Sequence, residues 1–214
     1  MIKDLAILVA DKDIEYTIKG LLTRPQALGI RLVTCDCFVH PEHDPGCLLR
    51  GHDFLRPMVN IYAHALVMLD HKGCGREKVS RKELERQIEE RLFHSGWGDR
   101  AAAVVISPEL EIWVWSNSPH VDRIIGWTGR EVDLRSWLIQ EGFAENRQGK
   151  PNEPKRAFKQ ALKIAGKANS SSLFEQLARS VGLESCVNPA FVKLKATLKK
   201  WFSAGRAETS SEGR

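Results

Sequence analysis

Three runs of apolar residues in this chain end in acids. They are ILVADKD (7–13), carrying Asp11 and Asp13, LVMLD (66–70), ending in Asp70, and VVISPELE (104–111), carrying Glu109 and Glu111. Glu15 follows one turn after the first run, and Asp36 lies inside a fourth, IRLVTCDCFV (30–39). If these runs are neighbouring strands, their acids arrive at one rim. Clustered carboxylates repel one another unless a hard cation sits among them, so the chemistry such a rim suits is oxygen coordination of Mg²⁺ or Mn²⁺. A metal held there polarises a phosphodiester and helps to activate water. The competing role, for Asp13 and Glu109 above all, is to cap the helices that begin just after the strands. Pro108 favours a helix starting at Glu109. Residues two apart on a helix lie about 200° apart, so Glu109 rather than Glu111 is expected at the rim. Glu111 is then left to pair with an arginine such as Arg50 or Arg76.

A second group of reactive side chains lies in HPEHDPGCLLRGH (40–52), namely His40, His43, Cys47 and His52, with His71 and Cys74 further on in HKGCG. These are zinc-type ligands, but their spacing matches no closed structural zinc site, and ordinary loop hydrogen bonding is the alternative. Arg50 and Arg56 are suited to holding a phosphate or a carboxylate on the same rim. No GxxxxGK[ST], no GxGxxG opening a helix and no GxSxG occurs, so the phosphate cradles and the nucleophile elbow that those motifs build are missing. The tryptophans at 113, 115, 127, 137 and 201 read as packing anchors rather than base-stacking platforms.

The elements that must position these groups alternate. Strands are expected near 4–10, 30–39, 64–70 and 101–107, with amphipathic helices between them. Asp13 is expected to cap the first helix, over 13–22, and Ser80 with Glu83 forms a capping box for a helix over 80–96. Residues 40–51 read as a loop from their Pro and Gly content, followed by a helix from about Leu48 that bends near Pro57. Short spacing between strands and helices predicts a mainly parallel sheet with right-handed crossovers and a site at the carboxyl ends of the strands. Beyond 107 the pattern becomes helical, with a break at QGKPNEP (148–154) and a frayed tail in AETSSEGR (207–214).

With 43% hydrophobic and 28% charged residues, the chain has enough apolar surface to form a packed core, and wholesale disorder is excluded. No apolar run approaches the length of a membrane span and no cleavable leader is evident, so a cytoplasmic protein is expected. The five cysteines form no disulfide framework. Charge is divided unevenly: residues 1–146 hold 18 Lys and Arg against 22 Asp and Glu, whereas residues 147–200 hold 12 against 3. The basic half is either a footprint for nucleic acid or a set of solvated helix faces.

ILVADKDIEYTIKGLL, HALVMLDHKGCG and SPELEIWVW, in that order, resemble the Toprim-like proteins of bacterial defence islands. The resemblance covers about residues 4–202 and includes AFVKLKATLKKWF (190–202) as a closing helix. More narrowly, VADKDIEYTIKGLL, FVHPEHDPGCLLRGH, DHKGCG and PELEIWVW look like a small component of the methylation-associated phage-defence system, which joins a DNA methyltransferase and specificity part to accessory proteins. The resemblance implies a Toprim-like α/β domain over 1–146, a basic helical segment over 147–202 packed on it and a disordered tail over 203–214. It implies antiviral defence by a Mg²⁺- or Mn²⁺-dependent nuclease acting on invading DNA. Asp11, Asp70, Glu109 and Glu111 would hold the metal, Asp70 and Glu109 would be catalytic, and Arg50, Lys155, Arg156, Lys199 and Lys200 would contact the DNA backbone. Partners would be other proteins of the system, such as a methyltransferase or an ATPase, with no membrane. The chain also departs from the pattern. The family's glutamate after the first strand falls at Ala10, and its paired aspartates after the third are reduced to Asp70, followed by His71 and Lys72. Fewer carboxylates bind metal more weakly, which leads to the rival expectation of a catalytically degenerate subunit that binds partner proteins. A zinc-binding regulator built on the His/Cys loop is a third reading.

Overall fold

The computed structural model describes residues 2–116, 118–183 and 186–204, so most of the expected tail lies outside the described residues. Four strands form one parallel sheet: β1 (Lys3–Val9), β2 (Cys35–Val39), β3 (Tyr62–Asp70) and β4 (Ala101–Ile106), in the order β2-β1-β3-β4. Continuous apolar sequence makes the central strands. Leu5 to Ala10 and Ala65 to Leu69 are buried on both faces, as in a sheet covered by helices on either side. The second strand is shorter than expected, because Ile30 only bridges to Ser203 and pairing with β1 begins at Cys35.

Helix α1 (Lys12–Leu22) joins β1 to β2, and its cap is Asp11, whose Oδ1 accepts from the Ile14 N–H at 2.9 Å; Asp13, expected as the cap, lies in the first turn. A short α2 (Pro25–Leu28) precedes β2. Helix α3 (His43–Leu55) then starts inside the segment expected to be a loop. Pro45 falls in its first turn, where the missing N–H has no intrahelical partner to lose, so proline does not break the helix there. Gly46 lies so close to the His40 ring that a Cβ would overlap it. Crossing back from β2 to β3 puts α3 on the face opposite α1, and α4 (Arg81–Leu92) joins it there. Ser80 caps α4 as expected, through Glu83 N–H to Ser80 Oγ.

After β4 the helix expected to start at Glu109 is only a 3-10 turn, Leu110–Trp113. Among the described residues five helices follow: α5 (Pro119–Ile125), α6 (Leu134–Gln140), α7 (Pro154–Ala165), α8 (Ser171–Ser180) and α9 (Pro189–Phe202). Helix α8 packs along α1, with Gly20 against the Glu175 backbone and Ala178, while α9 packs against β4. One hydrophobic core runs through both halves of the chain, from Leu5 and Ile7 to Phe158, Phe174 and Phe202. Trp113, Trp115, Trp127 and Trp137 pack in or against it, and Trp201 stacks on His64 with ring centroids 4.5 Å apart. Among the described residues no helix is long and apolar enough to cross a membrane.

The β4 edge is closed by side chains. Ala103 N–H donates to Glu89 and Val105 N–H to Glu85, each at 3.0 Å, and Lys193 of α9 lies 2.7 Å from Glu89 and 3.2 Å from Glu85. Edge N–H groups left bare would offer pairing to another chain, and here carboxylates occupy them.

Candidate functional site

The chain leaves β1 toward β2 on one side and returns to β3 on the other, so the crevice at the carboxyl ends of β1 and β3 is the switch point at which open α/β sheets bind ligands. Acids collect there. Asp11 leaves β1, Asp44 sits in the first turn of α3 and Asp70 ends β3, with Glu109 and Glu111 beyond β4. Asp44 Oδ1 accepts the Asp70 N–H at 2.8 Å, and Asp13 Oδ1 accepts from Ser171 Oγ of α8 at 2.6 Å. Asp44 was not among the acids expected at the rim, because its segment read as a loop. Asp36 is not at the rim. Its register partner is Ala6 in the middle of β1, and it pairs with Lys3 at the start of that strand at 2.6 Å. Asp11 does not turn away as a continuing strand would make it do, because β1 ends at Val9.

Lys155, in the first turn of α7, adjoins this group. Its backbone N–H donates to Glu109 Oε1 at 3.1 Å, and its Nζ lies 3.7 Å from Glu111 Oε1. Glu109 is also 3.8 Å from Lys72 Nζ. Both glutamates therefore face Lys155, against the expectation that only one could point inward. Glu109 is extended (φ −157°) and precedes a 3-10 turn, so α-helical spacing does not govern the pair. Glu111 pairs with Lys155 rather than with Arg50 or Arg76, and Arg50 is bound to Glu42 at 3.1 Å.

Three of its acids are almost dry, with Asp70 4% exposed, Glu109 3% and Glu111 2%, whereas Asp11, Asp13, Asp44 and Lys155 are half-buried. Burial pushes the Asp70 carboxyl well above the usual range, and Asp44, Glu111 and Asp11 push it the same way against Lys155. Burial raises Glu111 to about 7, with Lys155 opposing. Asp44 and Asp13 are likewise raised, chiefly by burial. Burial alone would lower Lys155, but Glu111, Asp70, Glu109 and Asp11 outweigh it and hold the ammonium charged. Two carboxylate oxygens here, Asp70 Oδ1 and Glu111 Oε2, are buried with no hydrogen-bond partner. Buried polar atoms are normally paired, so two orphans in one cluster mark groups built for a proton or a cation. As donors they suit a hard cation. As an arrangement, no three His, Cys, Asp or Glu side chains among the described residues stand together so as to hold a metal ion.

The His/Cys group is spread among structural partners. His40 Nδ1 accepts the Glu42 N–H at 3.1 Å and burial lowers its pKa, His43 Nδ1 contacts Ala10 O at 3.0 Å, and His71 Nε2 contacts Val79 O at 2.8 Å. Cys47 is buried, which raises its thiol well above the ordinary range.

The basic half does not form one face. Lys150 donates to Ile112 O, Lys167 to Ile124 O, and Lys193 is held by Glu85 and Glu89. Arg156 pairs with Glu153 at 2.7 Å over the Phe143 ring. Lys199 lies against Gly29, and Lys200 lines a groove with Ala101 and Trp201 at the start of β4, so both sit at the end of the sheet opposite Lys155. Compared with known protein families, curated proteins and solved structures, the chain finds no match.

Proposed function

We propose that this chain is a Toprim-like component of a bacterial antiviral defence system, and that it works there as a non-catalytic subunit binding partner proteins of the same system, such as a methyltransferase or an ATPase. The observation that carries the non-catalytic part is Lys155. Its amine stands 3.7 Å from Glu111 and is kept charged by Glu111, Asp70, Glu109 and Asp11, so it supplies positive charge for which these acids would otherwise need a cation. Ala10, fully buried at the position of the family's glutamate, supports the same reading.

A Mg²⁺- or Mn²⁺-dependent nuclease acting on invading DNA is the second reading, favoured by the orphaned oxygens of Asp70 and Glu111. In it Asp11, Asp70, Glu109 and Glu111 hold the metal, which would supply charge stabilisation at the phosphodiester. The test is plasmid cleavage by the purified chain with Mg²⁺ or Mn²⁺, beside calorimetry of metal binding, for the natural protein and Asp70→Ala. No cleavage and no stoichiometric metal binding are expected. Metal-dependent cleavage that disappears in a folded Asp70→Ala variant would replace the first reading with the second.

A further inference from the structure

Between α1, α8, α9 and the 3-10 turn at Leu110–Trp113 lies a partly open cavity with about 510 Å³ of free space, walled by Leu21, Leu110, Trp113, Leu177 and Phe191. The polar residues in its wall are Thr17, Ser116 and Cys186. The Thr17 hydroxyl is committed to Asp13 O, whereas Ser116 Oγ is buried with no hydrogen-bond partner. Ser116 also lines a second cavity, of about 710 Å³, with Arg135 in its wall, so an apolar chamber and a cationic one meet at that residue. Two cations at this junction have no acid partner. Lys150 is half-buried and its Nζ donates to Ile112 O at 2.7 Å; Arg135 is half-buried and its Nη2 donates to Ser116 O at 2.5 Å. Both acceptors are neutral carbonyls, and Asp122 faces Arg135 without pairing with it. Arg135 also repels Lys150, whose charge is favoured instead by the Cys186 thiol on the cavity wall. Charge taken out of water costs free energy that a counter-charge normally offsets, so two adjacent cations bonded only to carbonyls suit an anionic ligand.

We propose that this junction binds a small amphipathic carboxylate, an alkanoate of medium chain length, with its head between Arg135 and Lys150 and its alkyl chain in the apolar cavity. The guanidinium fork of Arg135 matches a carboxylate, and Ser116 Oγ donates to the same head. An apolar chamber with a few convergent polar groups at one end is the usual form of a small-molecule site. Arg147, on the wall of the second cavity, is neutralised by Asp133 at 3.0 Å. With Asp122 facing Arg135, the excess over Arg135 and Lys150 is about one positive charge, which suits a monoanion rather than a phosphate near charge −2. None of Asp11, Asp44, Asp70, Glu109 and Glu111 lines either cavity, so the inference goes beyond the proposed subunit role and does not rest on it.

The experiment is titration calorimetry of the purified full chain with octanoate near neutral pH, beside octanol and octylammonium, which carry the same chain on a neutral and a cationic head. Saturable binding of one octanoate per chain is expected, with a Kd below about 1 mM and a negative heat-capacity change from burial of the alkyl chain. Octanol and octylammonium should bind about tenfold more weakly or worse. Arg135→Met combined with Lys150→Met, in a variant whose fold circular dichroism confirms, should weaken octanoate about tenfold or more and leave octanol within about twofold. A second measurement needs no variant: octanoate should slow alkylation of Cys186 by iodoacetamide and leave Cys35, on β2, unaffected. The proposal is overturned by the absence of saturable heat up to about 5 mM octanoate. It is equally overturned by octanol or octylammonium binding as tightly as octanoate, by equal losses of octanoate and octanol in the double variant, or by Cys186 alkylation that octanoate does not slow. Acetate binding as tightly as octanoate would leave the apolar cavity without a part and overturn it too.

Discussion

Two buried clusters in this protein are made of the same parts, glutamates from one element and a lysine from a C-terminal helix, yet they are finished differently. On the β4 edge, Glu85 and Glu89 accept the Val105 and Ala103 N–H groups, Arg81 joins Glu85, and Lys193 bridges both acids. At the rim, Lys155 approaches Glu111 no closer than 3.7 Å, and Asp70 and Glu111 each keep one buried oxygen with no donor. A buried acid beside a lysine is therefore not in itself a sign of a site. Completeness separates the two: the edge cluster has spent its hydrogen bonds on closing the sheet, and the rim has left some unspent.

The largest expected effect is at the edge. Glu85→Ala leaves the Val105 N–H bare and removes the carboxylate that Arg81 and Lys193 share, so urea denaturation should show a loss of about 3 kcal/mol or more. A loss below about 1 kcal/mol would mean that the edge cluster is no more structural than the rim.

Next in size is the pH response of Glu111. Its folded pKa, near 7, lies above the unfolded value, so the folded state binds more protons between those limits. The associated stability is fully present below about pH 4.3 and is lost as pH rises through 7, up to about 3 kcal/mol in all. Glu111→Gln should remove most of that slope in denaturation curves taken from pH 5 to 8, and an unchanged slope would mean that Glu111 takes up no extra proton on folding.

The smallest effect is at Lys155. Lys155→Met keeps the stem but removes the cation, and the acids around it can then take up protons. A loss of about 1 kcal/mol at pH 7, shrinking toward pH 5, is expected, in contrast to a larger loss for Lys193→Met, whose carboxylates are also committed to backbone N–H groups. Equal losses for the two variants at pH 7 would erase the distinction.

Much of the scaffold was legible in sequence because its signals are local. A strand buried on both faces is an unbroken apolar run, and Ser80 with Glu83 marks a helix start within four residues. Asp11, Asp70, Glu109 and Glu111 were legible as rim acids because each follows such a run. Where local cues conflicted they misled: the Pro and Gly of 40–51 hid the start of α3, and with it Asp44. The α-helical spacing expected of Glu109 and Glu111 does not hold, because the chain folds them as an extended residue and part of a 3-10 turn.

A four-stranded parallel α/β frame with acids at the strand ends is written in neighbouring residues, because burial on two faces and helix periodicity are local signals. What those acids meet is set by contacts across the fold. Lys155 reaches Glu109 across 46 positions of sequence, and Lys193 reaches Glu89 across 104. Net charge counted along the chain made residues 147–200 one basic block, but packing sends Lys155 into the rim, Lys193 to the β4 edge and Lys199 with Lys200 to the opposite end. Charge is a property of composition, whereas its partner is chosen by which helix face the core buries, and that choice is made by contacts distant in sequence.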